Sequence, residues 1–275
     1  MFSPPTFGVV LMAKNTLTHI AFIPDGNGRW ANIRQLPREY GHDAGYQTAL
    51  QILHHCINIK IPYVTLFVLS YYNVIKRRED ELKNIFRHLC SLFRDKEIET
   101  FHQLNCVFRP VGDFSCLEKC PELMEAIEYA IHKTQNNTGT IVNIAVAYAG
   151  SNDIANSIYE MYHHNGNHLP EKKEDLIQGI SQYSHLHSPP VDLFIRLGGE
   201  KRLSDFCFWH LLQAELEFLD TFWPDFTTGQ LDACIKNYYC RDRRFGEETS
   251  PEIIRKMAKK ECQDDIDCQL IRSDK

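Results

Sequence analysis

A short apolar run that breaks straight into a glycine-rich turn constrains this chain more than any other feature. Leu17 to Ile23 is too brief to stand alone as a helix and rich in β-formers, so it reads as a buried strand. Asp25 follows at the strand's C-terminal end, where open α/β sheets hold their ligands. Gly26, Asn27 and Gly28 tolerate unusual φ and let main-chain N–H groups approach an anion. Arg29 adds a planar cation suited to phosphate. A carboxylate beside phosphate-seeking groups makes chemical sense where a divalent cation lies between them. The plain alternative is a tight turn, since D-G and N-G are the commonest turn dipeptides. Arg38 and His42, four apart on one helix face, add two more phosphate ligands and favour the anion site.

Strands then alternate with helices along the chain. Asp43–Ile59 reads as a helix, Tyr63–Leu69 as a second strand, and Ser70-Tyr71-Tyr72-Asn73 as the loop after it. The run Lys76-Arg77-Arg78 reads either as part of the same crevice or as a solvated helix start. Glu79–Leu104 predicts one long helix or two, whose Phe86, Leu89, Leu92 and Phe93 serve the core or an apolar tunnel. Strands over Cys106–Val111, Thr140–Tyr148 and Val191–Ile195 are separated by helices over Cys120–Gln135 and Asp153–Tyr162. His163, His164 and His168 fall in a polar loop, and exposure rather than metal binding is expected of them. After the fifth strand, Arg196, Gly198, Gly199, Arg202 and the Ser204 hydroxyl form a second phosphate cradle, and Cys207–Leu219 is expected to continue as a helix carrying Glu215. This alternation predicts right-handed βαβ units, hence one α/β domain with a central, mostly parallel sheet flanked by helices. It would span residues 17–250, between a flexible lead-in of residues 1–16 and a polar tail of residues 251–275.

Composition removes several classes of function. A formal net charge of −6 argues against general nucleic-acid binding. Ten cysteines without a C-x-x-C pair signal neither a zinc ribbon nor a thioredoxin-like site, and scattered free thiols suit a reducing compartment. The apolar patch Phe7–Met12 is too short for a signal-peptide core, and no run approaches a membrane span. The expectation is a cytoplasmic protein, with peripheral contact at a membrane surface left open.

The segments H-I-A-F-I-P-D-G-N-G-R-W, R-E-Y-G-H, D-L-F-I-R-L-G-G-E-K-R-L-S-D-F, Q-A-E-L-E-F and W-P-D-F, in that order, resemble those of the cis-prenyltransferases, the undecaprenyl diphosphate synthase family. Arg243-Arg244-Phe245-Gly246 extends the resemblance. It implies an apolar product tunnel, a homodimer, and Mg²⁺-dependent condensation of isopentenyl diphosphate with an allylic diphosphate (dimethylallyl, geranyl or farnesyl) to create a Z double bond. Carried over by position, Asp25 is the essential Mg²⁺ carboxylate and Glu215 the second. Gly26, Asn27, Gly28, Arg29, Arg38 and His42 would hold the allylic diphosphate, with Trp30 beside it. Arg196, Arg202 and Ser204 would hold isopentenyl diphosphate, and Ser70, Asn73 and Lys76 belong to the loop beside the reacting carbons. That loop departs from the family's S-x-E-N-W-x-R: Tyr72 and Val74 replace Glu and Trp, and Lys76 stands where Arg is usual, unless Arg77 takes its place. After the fourth strand, Ala147-Tyr148-Ala149-Gly150-Ser151 replaces N-Y-G-G-R. These changes put acceptor and regiochemistry in question, so irregular coupling of two allylic units stays open, as does a non-catalytic partner subunit. Val68 and Phe93 are expected to shorten the tunnel and give a short or medium product.

Overall fold

All five strands expected from the sequence form, and a sixth joins them. They are β1 (His19–Ile23), β2 (Tyr63–Ser70), β3 (Val107–Val111), β4 (Ile141–Tyr148), β5 (Leu193–Arg196) and β6 (Glu215–Phe218). The computed structural model describes residues 16–241, except 78, 95, 118 and 119 and the side chains of 79–81. Residues 1–15, the Phe7–Met12 patch, Arg78, the Arg243–Gly246 segment and the tail 251–275 lie outside the described residues. The described strands make one sheet in the order β3-β4-β2-β1-β5-β6, with every neighbouring pair parallel. β1 is central and buried at all five positions, as a strand covered on both faces must be. Its Ile20 and Phe22 enter one core, and Ala21 and Ile23 the other.

Buried polar groups along β1 find partners. His19 joins Thr65 Oγ1 through Nε2 (2.7 Å) and the Pro189 carbonyl through Nδ1 (2.8 Å). Burial pushes its pKa down to about 3, so the ring is neutral in the folded chain.

The helices are α1 (Asn27–Ile33), α2 (Arg38–Asn58), α3 (Tyr71–Lys76), α4 (Glu79–Arg94), α5 (Lys96–Gln103), α6 (Pro121–Thr134), α7 (Gly150–His164), α8 (Lys173–Tyr183) and α9 (Thr228–Cys240). Several differ from expectation. The Ser70–Asn73 loop is the start of α3: Ser70 is its N-cap, and its Oγ accepts the Asn73 N–H at 3.1 Å. The long Glu79–Leu104 pattern forms two helices, α4 and α5. His163 and His164 lie in the last turn of α7 rather than in a loop. The expected Cys207–Leu219 helix is wrong. That segment runs through turns and then enters the sheet as β6, because Glu215-Leu216-Glu217-Phe218 alternates with period two and pairs with β5. Neither α8 nor α9 was foreseen.

The strand order locates the site. From β1 the chain moves to β2 on one side, whereas from β5 it moves to β6 on the other. The crevice beyond the C-terminal ends of adjacent β1 and β5 is therefore the topological switch point, where open α/β sheets bind ligands. Asp25 follows β1, and Arg196 ends β5 in register with Ile23.

Candidate active site

At the switch point the backbone is bent to a purpose. Gly26 adopts φ +99 as N-cap of α1, so the chain passes from strand to helix within three residues. A Cβ there would stand 2.4 Å from Phe222 Cδ1. The first-turn N–H groups of α1 have no acceptor within the helix. They belong to Asn27, Gly28 and Arg29, all of which line the cavity described below. Trp223 fixes this turn from below: its backbone N–H donates to the Asp25 carbonyl (2.9 Å) and its indole N–H to the Gly45 carbonyl (2.7 Å).

Asp25 is the hub. Its Oδ1 accepts the Gly26 N–H at 2.6 Å and Arg29 Nη2 at 3.2 Å, while Oδ2 accepts Arg196 Nη2 at 2.8 Å. Arg196 is 3% exposed at its side chain and Asp25 30%, so this pair lies at the inner edge of the mouth. Arg196 Nη1 donates to Ser204 Oγ (2.7 Å) and to the Arg202 carbonyl, which ties the Gly198–Ser204 loop to the sheet. Arg196 Nε is buried without an acceptor, a donor whose desolvation an anionic oxygen would offset. Glu200 spans the two cradles, accepting from Arg29 Nη1 (3.4 Å) and from Arg202 Nη1.

Arg38 and His42 lie one turn apart on α2, facing the same cavity as Arg29. Burial pushes His42 down to about 4, and the nearby Arg77 and Arg38 charges push the same way. His42 is therefore neutral beside its cationic neighbours. Mouth and interior together form one cavity of about 800 Å³, whose apolar wall includes Leu50, Leu66, Val68, Ile85, Leu89 and Leu92.

Of the sequence-predicted residues, Asp25, Gly26, Asn27, Gly28, Arg29, Arg38, His42, Ser70, Asn73, Arg196, Arg202 and Ser204 all line this one cavity. Lys76 is not brought there. It is exposed, its Nζ 5.6 Å from the Tyr72 ring, and Arg77 lines the cavity instead. Trp30 faces an adjoining groove, its indole N–H donating to Asp225 Oδ1 at 2.7 Å. Glu215 begins β6 in register with Leu193, three residues before the strand end at which Asp25 sits. Phe93 is fully buried in the core, with its ring edge-on to Phe108, and Val68 alone of the two expected tunnel residues lines the cavity. Glu200 and Trp223 stand in the R-L-G-G-E and W-P-D-F segments, but neither is among the site residues expected from the sequence. Tyr46 and His88, stacked at 4.7 Å on the cavity wall, carried no sequence signal. Among the described residues no cluster of three or more His, Cys, Asp or Glu could hold a metal ion.

The comparisons with known proteins agree with this geometry. The prenyltransferase family model described as undecaprenyl diphosphate synthase matches residues 23–246. An isoprenyl transferase from Clostridium tetani is 39% identical over 84% of this chain and 90% of its own. One from Neisseria gonorrhoeae is 35% identical over 86% and 91%. Among solved structures, lavandulyl diphosphate synthase from Lavandula x intermedia, in complex with dimethylallyl diphosphate, superposes with a TM-score of 0.76 at 30% identity, covering 84% of this chain and 98% of that one. An undecaprenyl diphosphate synthase structure from Campylobacter jejuni gives 0.68 at 29% identity, covering 85% and 100%. With a switch-point carboxylate, two arginine cradles and this extent of similarity, the chain belongs to the undecaprenyl diphosphate synthase family of prenyltransferases.

Proposed function

We propose that this chain is a Mg²⁺-dependent cis-prenyltransferase that condenses isopentenyl diphosphate with an allylic diphosphate to a short or medium Z-prenyl diphosphate. One observation carries the reading: two arginine cradles meet at Asp25 over the mouth of an apolar-walled cavity. Arg29, Arg38, His42 and the first-turn amides of Asn27, Gly28 and Arg29 hold the allylic diphosphate, while Gly26, whose N–H is taken by Asp25, shapes the turn. Arg196, Arg202 and Ser204 hold that of isopentenyl diphosphate. The allylic C–O bond breaks and diphosphate leaves, a C–C bond forms to the terminal alkene carbon, and one proton is lost from the isopentenyl unit. Asn73 positions the substrates, since an amide is a poor base, and a diphosphate oxygen or water accepts that proton. The cations neutralise charge that grows on the leaving oxygen.

Mg²⁺ fits the donor set. It is habitually held by one or two carboxylates plus substrate phosphates and water, and Asp25 offers one carboxylate at the mouth. When bound, Mg²⁺ supplies Lewis-acid neutralisation of the departing diphosphate. Glu215 stands on the edge strand β6, so its part in metal binding calls for the homodimer this reading includes. The cavity lies within the range of about 300–1,000 Å³ for small-molecule pockets, which favours a product of few units. The same reading makes the enzyme cytoplasmic, releasing its lipid product at a membrane surface; no described helix is long and apolar enough to span one.

The likeness to a lavandulyl diphosphate synthase favours one second reading, branched coupling of two allylic units, which the altered Ser70–Lys76 segment permits. Purified protein with Mg²⁺, isopentenyl diphosphate and each of dimethylallyl, geranyl and farnesyl diphosphate separates the readings by product mass and double-bond geometry. Linear Z products support the first, and branched products from allylic substrate alone support the second. Absence of turnover overturns both and leaves a non-catalytic subunit, whereas an Asp25→Ala variant as active as the wild type overturns the part given to Asp25 in either reading.

A further inference from the structure

Just beyond the second cradle the backbone is strained. Ser204 and Asp205 adopt φ +53 and +58, and Cys207 +27, though none is glycine. Such a conformation is unfavourable for a residue with a Cβ and persists only where its surroundings hold it. What holds Asp205 is the start of α7. Its carbonyl accepts the Gly150 N–H at 2.7 Å, its Oδ1 accepts the Ser151 N–H at 2.9 Å, and its Oδ2 accepts the Ser151 hydroxyl at 2.6 Å. The N-cap of α7, Ala149, has no side chain that can cap, so the Asp205 carboxylate, 54 residues from the Ser151 it binds, does so and also meets the positive end of the helix dipole. On either side the loop is tied to different elements. Ser204 Oγ accepts Arg196 Nη1 at 2.7 Å, and the buried Phe206 ring stacks on Phe67 at 4.5 Å.

We propose that Asp205 is a positioning residue for the Arg196–Arg202–Ser204 cradle: by capping α7 it keeps Ser204 in its strained conformation and aims that hydroxyl at the anion. Released from α7, both residues would relax to negative φ and carry the Ser204 hydroxyl away from Arg196. The proposal rests on the reading of that cradle as the isopentenyl diphosphate site, and predicts an effect on one substrate only.

The test compares Asp205→Ala, Asp205→Asn and the wild type, with Mg²⁺ present, by steady-state kinetics, calorimetric binding of isopentenyl diphosphate and thermal unfolding. Asp205→Ala should raise KM for isopentenyl diphosphate about tenfold or more, with KM for the allylic substrate changed by less than about twofold, since misplacement of about 1 Å at a binding group costs up to about a hundredfold. Asp205→Asn should recover most of the loss, because asparagine keeps an acceptor for the Ser151 N–H and tolerates the left-handed region. Equal changes in both KM values, a fall in Tm with the KM ratio intact, or failure of the Asn variant to recover would overturn the proposal. If the wild type binds isopentenyl diphosphate but forms no prenyl product, only the condensation reading fails, and the variants are judged by Kd. If the wild type binds none, both fail.

Discussion

Gly41 and Gly45 lie one turn apart on α2, and against them α1 is seated. A Cβ on Gly41 would stand 2.0 Å from the Asn27 carbonyl oxygen, and one on Gly45 2.5 Å from Asn27 Oδ1. Ordinary contact begins near 3.4 Å, so Gly41→Ala forces two backbones apart by about 1.4 Å, with no flexible side chain to absorb it. Overpacking of this kind costs about 1–3 kcal/mol. Alanine in a helix interior returns about 1 kcal/mol relative to glycine, leaving a net loss of about 1 kcal/mol. The functional cost should be larger, because under the proposed function the displaced residues hold the allylic diphosphate. A shift of that size relative to Arg38 and His42 predicts about a hundredfold fall in kcat/KM for the allylic diphosphate, or about 2.7 kcal/mol of transition-state stabilisation. Gly45→Ala meets a side-chain tip that can rotate, so its effect should be smaller, about tenfold. Urea unfolding followed by kinetics of both variants separates stability from activity. Gly41→Ala at wild-type stability with kcat/KM within a factor of two would refute the packing argument.

Other outcomes follow from burial. Phe93→Ala should cost about 3–5 kcal/mol by emptying a core site, measured by chemical unfolding. Val68→Ala and Leu92→Ala, which enlarge the cavity wall, should lengthen the products seen by mass spectrometry, and an unchanged distribution would rule out that wall as the length stop. His42, held down to about 4 in the free protein, should rise when a diphosphate anion arrives, so binding near neutral pH should take up protons; calorimetry in buffers of different ionisation enthalpy should show it, and His42→Asn should not. His19 titrates near 6.5 when unfolded and near 3 when folded, so its contribution to stability is complete above pH 6.5 and lost as pH falls toward 3, at about 1.4 kcal/mol per pH unit. A His19→Gln variant whose stability falls as steeply over that range would contradict this.

What the sequence revealed and what it hid divide along a physical line. Strands β1 to β5 were legible because each is a short apolar run bounded by turn residues, and a buried parallel strand has no other signature to offer. That these residues gather at one cavity was legible because glycine, arginine and a carboxylate at a strand's end leave few alternatives. β6 was hidden because Leu216 and Phe218 also extend the apolar spacing of the residues before them; only pairing with β5 selects period two, and pairing is not a local property. The choice between Lys76 and Arg77 stayed open in the sequence for a related reason. In a loop either residue could reach the mouth, but α3 places Asn73 and Arg77 one turn apart, both on the cavity, and leaves Lys76 facing outward. Helical phase, set by the Ser70 cap, therefore decides which cation lines the cavity. It also answers one departure from the family pattern: an arginine fork is present at the mouth after all, displaced by one residue in sequence.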